Sequence, residues 1–470
     1  MFEEKFKKIY LIGIGGIGMS GIAEILNNMS FDVEGSDLNE NANTKRLRSL
    51  GIRINISHCA KNINKSEVDL IVYSSAIKDN NIELREGKKL QIPIISRAMM
   101  LGQILRFKSS ITIAGSHGKT TTTSLIASLL EEAGMDPTVI NGGIINNYKT
   151  NAKLGKGNWI IAEADESDGS FDCLPSTICL INNIDPEHLD YHKSFENLKN
   201  AFISYASKIP FFGFIAACID DSNVELILKK LRNKKILTYG LKKKANVSCN
   251  NIKIKKVKDN FFSNFDVTVN LNDQYSIKNV LFPMIGNHNI LNALGAISIA
   301  IGIGIKKKHI LSGLKKFNGV KRRFSVLYKD KNCLVLDDYA HHPKEIYETL
   351  IALRLITKGR IIAIHEPHRF SRLKSLFEEF SKCFTKADLL FLLPVYPAGE
   401  KKIKGINSEA LKKKIKNCKV LSLQNSKELF FSLKNFMKIN DSIIFLGAGP
   451  ITKIAHNFVK FLKENGKEYN

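Results

Sequence analysis

The sequence predicts an α/β fold in three domains, and three observations carry that reading. Short β-rich apolar runs alternate with helical stretches along the chain, the pattern of βαβ units and parallel sheets. The runs fall into three blocks, opening near Ile9, Ser109 and Arg322. A chain of 470 residues also exceeds one ordinary core, since domains hold about 100–200 residues each. The expected division is 1–107, 108–321 and 322–470.

The first block opens on "YLIGIGGIGMSGIAEIL", Tyr10 to Leu26. Apolar residues lead into Gly13, Gly15 and Gly18 and a helix-like run follows, the G-x-G-x-x-G fingerprint of a Rossmann-like dinucleotide unit. Strands ending in "VEGSD" (33–37) and within "VDLIVYSSAI" (68–77) extend the sheet. Asp37 would bind an NAD ribose in a dehydrogenase. On these residues alone a nicotinamide-dependent oxidoreductase stands as a reading.

The middle block opens on "SSITIAGSHGKTTTTSLIASLL" (109–130), a strand, a tight glycine turn and a helix start. Backbone N–H groups from Gly115 through Ser116, His117 and Gly118 to Lys119 can wrap phosphates, and the helix N-terminus adds its positive end. Lys119 supplies a point charge and the Thr120 hydroxyl can ligate Mg²⁺. The strict P-loop pattern fails at its first glycine, because position 113 is Ile. A capping run is the plainer reading of Thr120 to Thr123. Downstream, "AEADESDG" puts Glu163 at a strand end, where a carboxylate can hold the metal, and "NIDPEHLDYH" puts His188 at another. Zinc on His188 and His192 lacks H-E-x-x-H order and a cysteine partner, so His192 reads as a helix-face histidine. A Lys/Asn-rich segment, about 231–280, alternates polar and apolar residues and is expected to form antiparallel strands.

The third block runs through "CLVLDDYAHHPKE" (333–345), "GRIIAIHEPHRFSR" (359–372), "ADLLFLLPVYPAGE" (387–400) and "DSIIFLGAGPITKIA" (441–455). Polar clusters again fall at the carboxyl ends of strands, where ligands sit in parallel sheets. Asp337 and His342 have a plain reading as strand-end and helix-capping residues.

Composition narrows the class. The longest apolar run, Ala293 to Ile305, is short of the roughly 20 residues that span a bilayer, so no membrane insertion is expected. The N-terminus is not a convincing signal peptide, and eight scattered cysteines read as free thiols in a reducing cytoplasm. The net charge of +25 rests on 70 basic residues of which 13 are Arg, and the Lys lie in solvated runs without interleaved aromatics. A Lys-biased surface explains this better than nucleic-acid binding.

Nine motifs stand in order: "GIGGIGMSGIAE", "AGSHGKTTT", "AEADESDGSF", "NIDPEHLDYH", "GNHNILNALGA", "RRF", "DDYAHHPKE", "HEPHRFSR" and "GAGPI". On them the chain resembles the Mur ligases of peptidoglycan synthesis from Ile9 to about Ala455, and within that family the branch that joins L-alanine to UDP-N-acetylmuramate. The resemblance implies a Rossmann-like UDP-sugar domain, a P-loop-type central ATPase domain and a Rossmann-like amino-acid domain. It implies an ADP-forming acid–amino-acid ligase acting through an acyl phosphate, with ATP as cosubstrate and Mg²⁺ at two sites. Carried over, Gly115, Ser116, His117, Gly118, Lys119, Thr120 and Thr121 bind ATP together with Asn289, Arg323, Asp338 and Tyr339. Thr120 and Glu163 hold one metal and His188 the second. Lys119, His188, Arg323, Asp338 and His341 carry catalysis. Gly13, Gly15, Gly16, Ile17, Gly18, Ser36, Asp37, Ser74 and Ser75 face the UDP-sugar. Arg369 and Arg372, with His368 beside them, hold the carboxylate of the incoming amino acid, for which the guanidinium fork is suited.

Two departures matter. The loop carries Ser116 where the family's commoner form has Thr, and a hydroxyl is kept. Sister ligases carry a carbamoylated Lys about 15 residues after the metal-binding His, and here "AFISYA" (201–206) has none, as in the alanine-adding branch. The rivals are a recycling ligase that attaches an intact peptide to the same UDP-sugar, the oxidoreductase, and a P-loop regulatory module. The oxidoreductase leaves "GSHGKT", Glu163 and His188 unexplained, and a regulatory module has no need of Arg369 and Arg372.

Overall fold

A computed structural model describes residues 7–64, 67–167, 169–242, 244–258, 260–330, 333–423 and 426–464. Three sheets are built in chain order. The first holds β1 (Lys8–Ile12), β2 (Asp32–Asp37), β3 (Arg53–Ile56), β4 (Leu70–Tyr73) and β5 (Ile94–Ser96) in the order β3-β2-β1-β4-β5, all parallel. Chain connection reverses across β1, so the turn after β1 lies at a switch point, where open α/β sheets bind ligands.

The second sheet holds ten strands: β6 (Ser109–Ala114), β7 (Thr138–Ile145), β8 (Thr150–Lys153), β9 (Trp159–Glu163), β10 (Ile178–Ile181), β11 (Phe214–Cys218), β12 (Ile236–Gly240), β13 (Val247–Val257), β14 (Asn260–Asn270) and β15 (Gln274–Phe282). Their order is β15-β14-β13-β12-β11-β10-β6-β9-β7-β8. β6 lies parallel between β9 and β10, so the turn after it is flanked by the ends of both. The segment expected to be antiparallel is only partly so. β12 runs parallel to β11 and β13, whereas β13, β14 and β15 are joined by connections far too short for a parallel crossover. The apolar run from Ala293 lies in a buried helix, Asn287–Gly302.

The third sheet holds β16 (Ser325–Lys329), β17 (Cys333–Asp338), β18 (Ile361–His365), β19 (Leu389–Leu392), β20 (Lys419–Ser422) and β21 (Asp441–Leu446) in the order β16-β17-β21-β18-β19-β20. Only β16 is antiparallel to its neighbour. Helices Pro343–Arg354 and Phe370–Ser375 pack on one face, and Ser426–Phe436 and Ile451–Glu464 on the other.

By contacts the chain forms two compact units. One comprises 1–252, 265–281 and 291–318, and the other 253–264, 282–290 and 319–470. No helix among the described residues is long and apolar enough to cross a membrane, and the cysteines are free thiols.

Candidate active site

Two glycine turns of the first unit build backbone cradles. After β1, Gly13 takes a left-handed φ of 81° and the helix Ile17–Asn28 starts at Gly16. The amides of Gly13 and Ile14 both donate to the Ser36 carbonyl, at 2.8 and 3.0 Å. Asp37 Oδ2 accepts the Gly15 amide at 2.8 Å, and Asn43 donates to the Gly15 carbonyl at 2.9 Å. A Cβ on Gly15 would stand 2.6 Å from Asn41 Nδ2, and one on Gly18 would stand 3.0 Å from Arg97 Nη1. Ile17 and Ser75 are exposed and Ser74 is half-buried at the end of the neighbouring strand. Ser36 is buried, and its hydroxyl donates to Glu83 Oε2 at 2.6 Å. Strand parity explains this: Ser36 and Asp37 are consecutive and point to opposite faces.

The turn after β6 carries charge. Gly115 and Gly118 have φ of 134° and 83°, and Gly118 caps the helix Lys119–Glu132. A side chain at Gly118 would overlap Asn292 Oδ1. Asn183 pins the loop, accepting the His117 amide at 2.8 Å on its side chain and the Ser116 amide at 3.1 Å on its carbonyl. Asn182 donates to the His117 carbonyl and to Thr122 Oγ1, both at 3.2 Å, and Thr121 is buried. Lys119 Nζ reaches the Gly115 carbonyl at 2.6 Å and both oxygens of Glu166 at 2.9 and 2.8 Å. Burial disfavours its ammonium, but Glu166, Asp165 and Glu163 outweigh burial and hold its pKa above the ordinary value.

The acids beside this loop are in place for a cation. Glu163 accepts the Gly142 amide at 2.7 Å and the Thr120 hydroxyl. Burial raises its pKa against those hydrogen bonds and the pull of Lys119. Glu166, Glu187 and His188 bring ligand atoms within 4.8 Å of one another. Carboxylates, a hydroxyl and an imidazole fit a hard divalent cation that keeps some water. His188 is held in a left-handed conformation at φ 55°, while His192 is buried with Nε2 2.8 Å from the Glu166 carbonyl. Sequence reasoning missed Glu166, Glu187, Arg97, Asn182, Asn183 and Asn292. Arg97 starts the helix Arg97–Leu105 and stands 3.8 Å from Asp165.

In the second unit, the ends of β17, β21 and β18 gather the third-block residues. Asp338 is buried, and its carboxylate accepts the amides of Phe324 at 2.6 Å and Ala340 at 2.7 Å. Burial raises its pKa, with Arg323 opposing. Tyr339 lies under two guanidinium groups, Arg322 at 4.7 Å and Arg323 at 5.2 Å. His341 Nδ1 is 3.0 Å from the Tyr339 carbonyl, and His342 caps the helix Pro343–Arg354. Arg369, at φ 71°, lies with Nε 3.4 Å from Glu400, and Arg372 Nη1 is 3.3 Å from His368 Nδ1. Burial first, then Arg372 and Arg369, lower His368 to about 4, so its imidazole is neutral. Asn289 is buried in this unit with its amide donating to the Ile285 carbonyl at 2.9 Å.

Three family models cover most of this chain: "Mur ligase family, catalytic domain" over residues 8–109, "Mur ligase middle domain" over 113–300, and "Mur ligase, glutamate ligase domain" over 322–449. The chain belongs to the Mur ligase family. This Mur ligase is 45% identical over 462 residues to the UDP-N-acetylmuramate–L-alanine ligase of Sinorhizobium medicae, covering 97% of each chain. It is 46% identical over 468 residues to the enzyme of that name in Rickettsia bellii, covering 97% of this chain and 96% of the relative. Its fold matches the crystal structure of the UDP-N-acetylmuramate–alanine ligase of Thermotoga maritima with a TM-score of 0.81 and 28% identity, over 98% of this chain and all of that one.

Proposed function

We propose that this Mur ligase joins L-alanine to UDP-N-acetylmuramate with cleavage of ATP to ADP and phosphate, yielding UDP-N-acetylmuramoyl-L-alanine. One observation carries the reading most: the Lys119 ammonium, set in a left-handed glycine turn at a helix N-terminus among three carboxylates. Such a turn binds polyphosphate through backbone amides, and Lys119 adds a mobile cation for the transferring phosphoryl group. Full-length similarity to relatives of that name supports the substrates.

In this proposal residues 1–107 bind the UDP-sugar, 108–321 bind ATP, and 322–470 bring the amino acid. The first amides of the helix Ile17–Asn28 take the diphosphate, the amides of Gly13, Ile14 and Gly15 being held by Ser36 and Asp37. Thr120 and Glu163 would hold one Mg²⁺, and His188 with Glu166 and Glu187 a second. A metal held by these residues would neutralise charge between phosphate and carboxylate. When polyphosphate enters, Lys119 exchanges Glu166 for a phosphate oxygen. The sugar's carboxylate takes the γ-phosphoryl group as an acyl phosphate. Arg369 and Arg372 orient the carboxylate of alanine so that its amine can attack, and phosphate leaves.

Purified protein with ATP, Mg²⁺ and UDP-N-acetylmuramate should release ADP when L-alanine is added. Across a panel of amino acids glycine and serine should follow, since a methyl group discriminates by only about 1–3 kcal/mol. ADP release with L-Ala-γ-D-Glu-diaminopimelate but not with L-alanine would make the chain a recycling ligase instead.

A further inference from the structure

The third sheet changes winding direction at β17, β21 and β18, whose carboxyl ends lie side by side, the position at which such sheets take ligands. Side chains close a circuit around those ends. Arg322 lies on the Tyr339 ring at 4.7 Å. The Tyr339 ring meets His341 at 5.2 Å, and His341 meets His368 at 6.1 Å. His368 packs on Tyr396 at 5.5 Å. Tyr396 and Glu366 both crowd Gly449, where an added Cβ would stand 3.1 Å from the ring and overlap Glu366 Oε2. Arg322 completes the circuit by donating to the carbonyls of Gly447 at 2.6 Å and Gly449 at 3.3 Å.

Glu366 is weakly bonded within this circuit. It is 6% exposed, and among the described residues its carboxylate accepts one amide, that of Ile451, at 3.4 Å. That distance is beyond the normal range, and a buried carboxylate so weakly bonded is costly. The charged and titratable groups around it are Arg322, from the loop before β16 and 3.8 Å from Asp337, Tyr396 after β19, and His368 in its own loop. The helix Ile451–Glu464 presents the Ile451 amide.

We propose that Glu366 is the proton acceptor for the ammonium group of the incoming amino acid. The inference rests on the reading above, in which Arg369 and Arg372 hold that amino acid's carboxylate. The amine and carboxylate share one carbon, so the acceptor must stand close to those arginines. Glu366 lies two residues from His368, whose Nδ1 is 3.3 Å from Arg372, and the Arg322 charge acts on both. An N–H bond of the ammonium breaks, the proton passes to a Glu366 oxygen and the electron pair stays on nitrogen. The amine then bonds to the acyl carbon, phosphate leaves with the C–O pair, and the surplus proton on nitrogen goes to water.

Burial lifts the Glu366 carboxyl to about 7, against the Ile451 amide and Arg322, which suits proton exchange near neutral pH. His368, held near 4, is a poorer base.

The test is Glu366→Gln, with ATP and UDP-N-acetylmuramate saturating. In the unsubstituted protein kcat/KM for L-alanine should rise with pH through about 7. In the variant it should fall about 10²–10³-fold and lose that limb. Hydroxylamine, whose nitrogen is largely unprotonated at neutral pH, needs no such acceptor. Its capture as the hydroxamate should stay within twofold in the variant, which also checks folding and acyl-phosphate formation. A variant that keeps alanine turnover within threefold, or loses alanine and hydroxylamine turnover together, overturns the proposal. An unsubstituted protein with no alanine-dependent turnover overturns the functional reading, and this inference with it.

Discussion

The turns after β1 and β6 each carry a parallel strand into a helix N-terminus through glycines with positive φ. Around the first, the side chain turned to the backbone is a carboxylate, Asp37 on the Gly15 amide, helped by neutral Asn41 and Asn43. Around the second it is an ammonium, Lys119 on the Gly115 carbonyl, faced by Glu163, Asp165 and Glu166. In both places the turn's own amides are held by the protein, and the first amides of the following helix are left for a ligand. What differs is a movable charge. A bound diphosphate that does not react needs only fixed donors, whereas a phosphoryl group in transfer gains from a cation that can follow it.

The largest expected effect lies at the second turn. Lys119→Ala should lower turnover about 10²–10³-fold, measured as ADP release at saturating substrates. A variant within tenfold of the parent would mean that the two turns do not differ in chemistry. At the first turn, Gly15→Ala forces a Cβ to 2.6 Å from Asn41 Nδ2. Such crowding costs ~1–3 kcal/mol, so the dissociation constant for UDP-N-acetylmuramate should rise about 5- to 150-fold, with ATP affinity unchanged in the same titration. The smallest effect belongs to Ser36. Ser36→Ala removes a buried donor from Glu83, which Tyr10 and Asn62 still approach at 3.0 and 2.7 Å. Urea denaturation should show a loss of ~1–2 kcal/mol with UDP-sugar affinity intact. A selective loss of affinity would place Ser36 on the binding surface.

Much of this was legible from the chain, because strand-end motifs are local. "IAGSHGKT" specifies its own strand, turn and helix, and "CLVLDD" and "RIIAIH" read as buried parallel strands from composition. The rest depends on pairings far apart in sequence. Glu166 stands in the quoted "AEADESDG", yet only folding over 47 residues sets it on Lys119. Arg97 opens a helix of the first sheet and meets Asp165 of the second. Asn182 and Asn292 brace the loop from distant segments. Glu366 was hidden for another reason: a carboxylate at a strand end looks solvated until burial by Gly449 and Ile451 is known.

The claim that the two turns divide the nucleotides is tested most directly by titrating Lys119→Ala, in separate calorimetric runs, with UDP-N-acetylmuramate and with a non-hydrolysable ATP analogue plus Mg²⁺. The account predicts UDP-sugar affinity within twofold of the parent and ATP-analogue affinity reduced at least tenfold. Equal loss of both ligands, or retention of the ATP analogue with loss of the UDP-sugar, would contradict it.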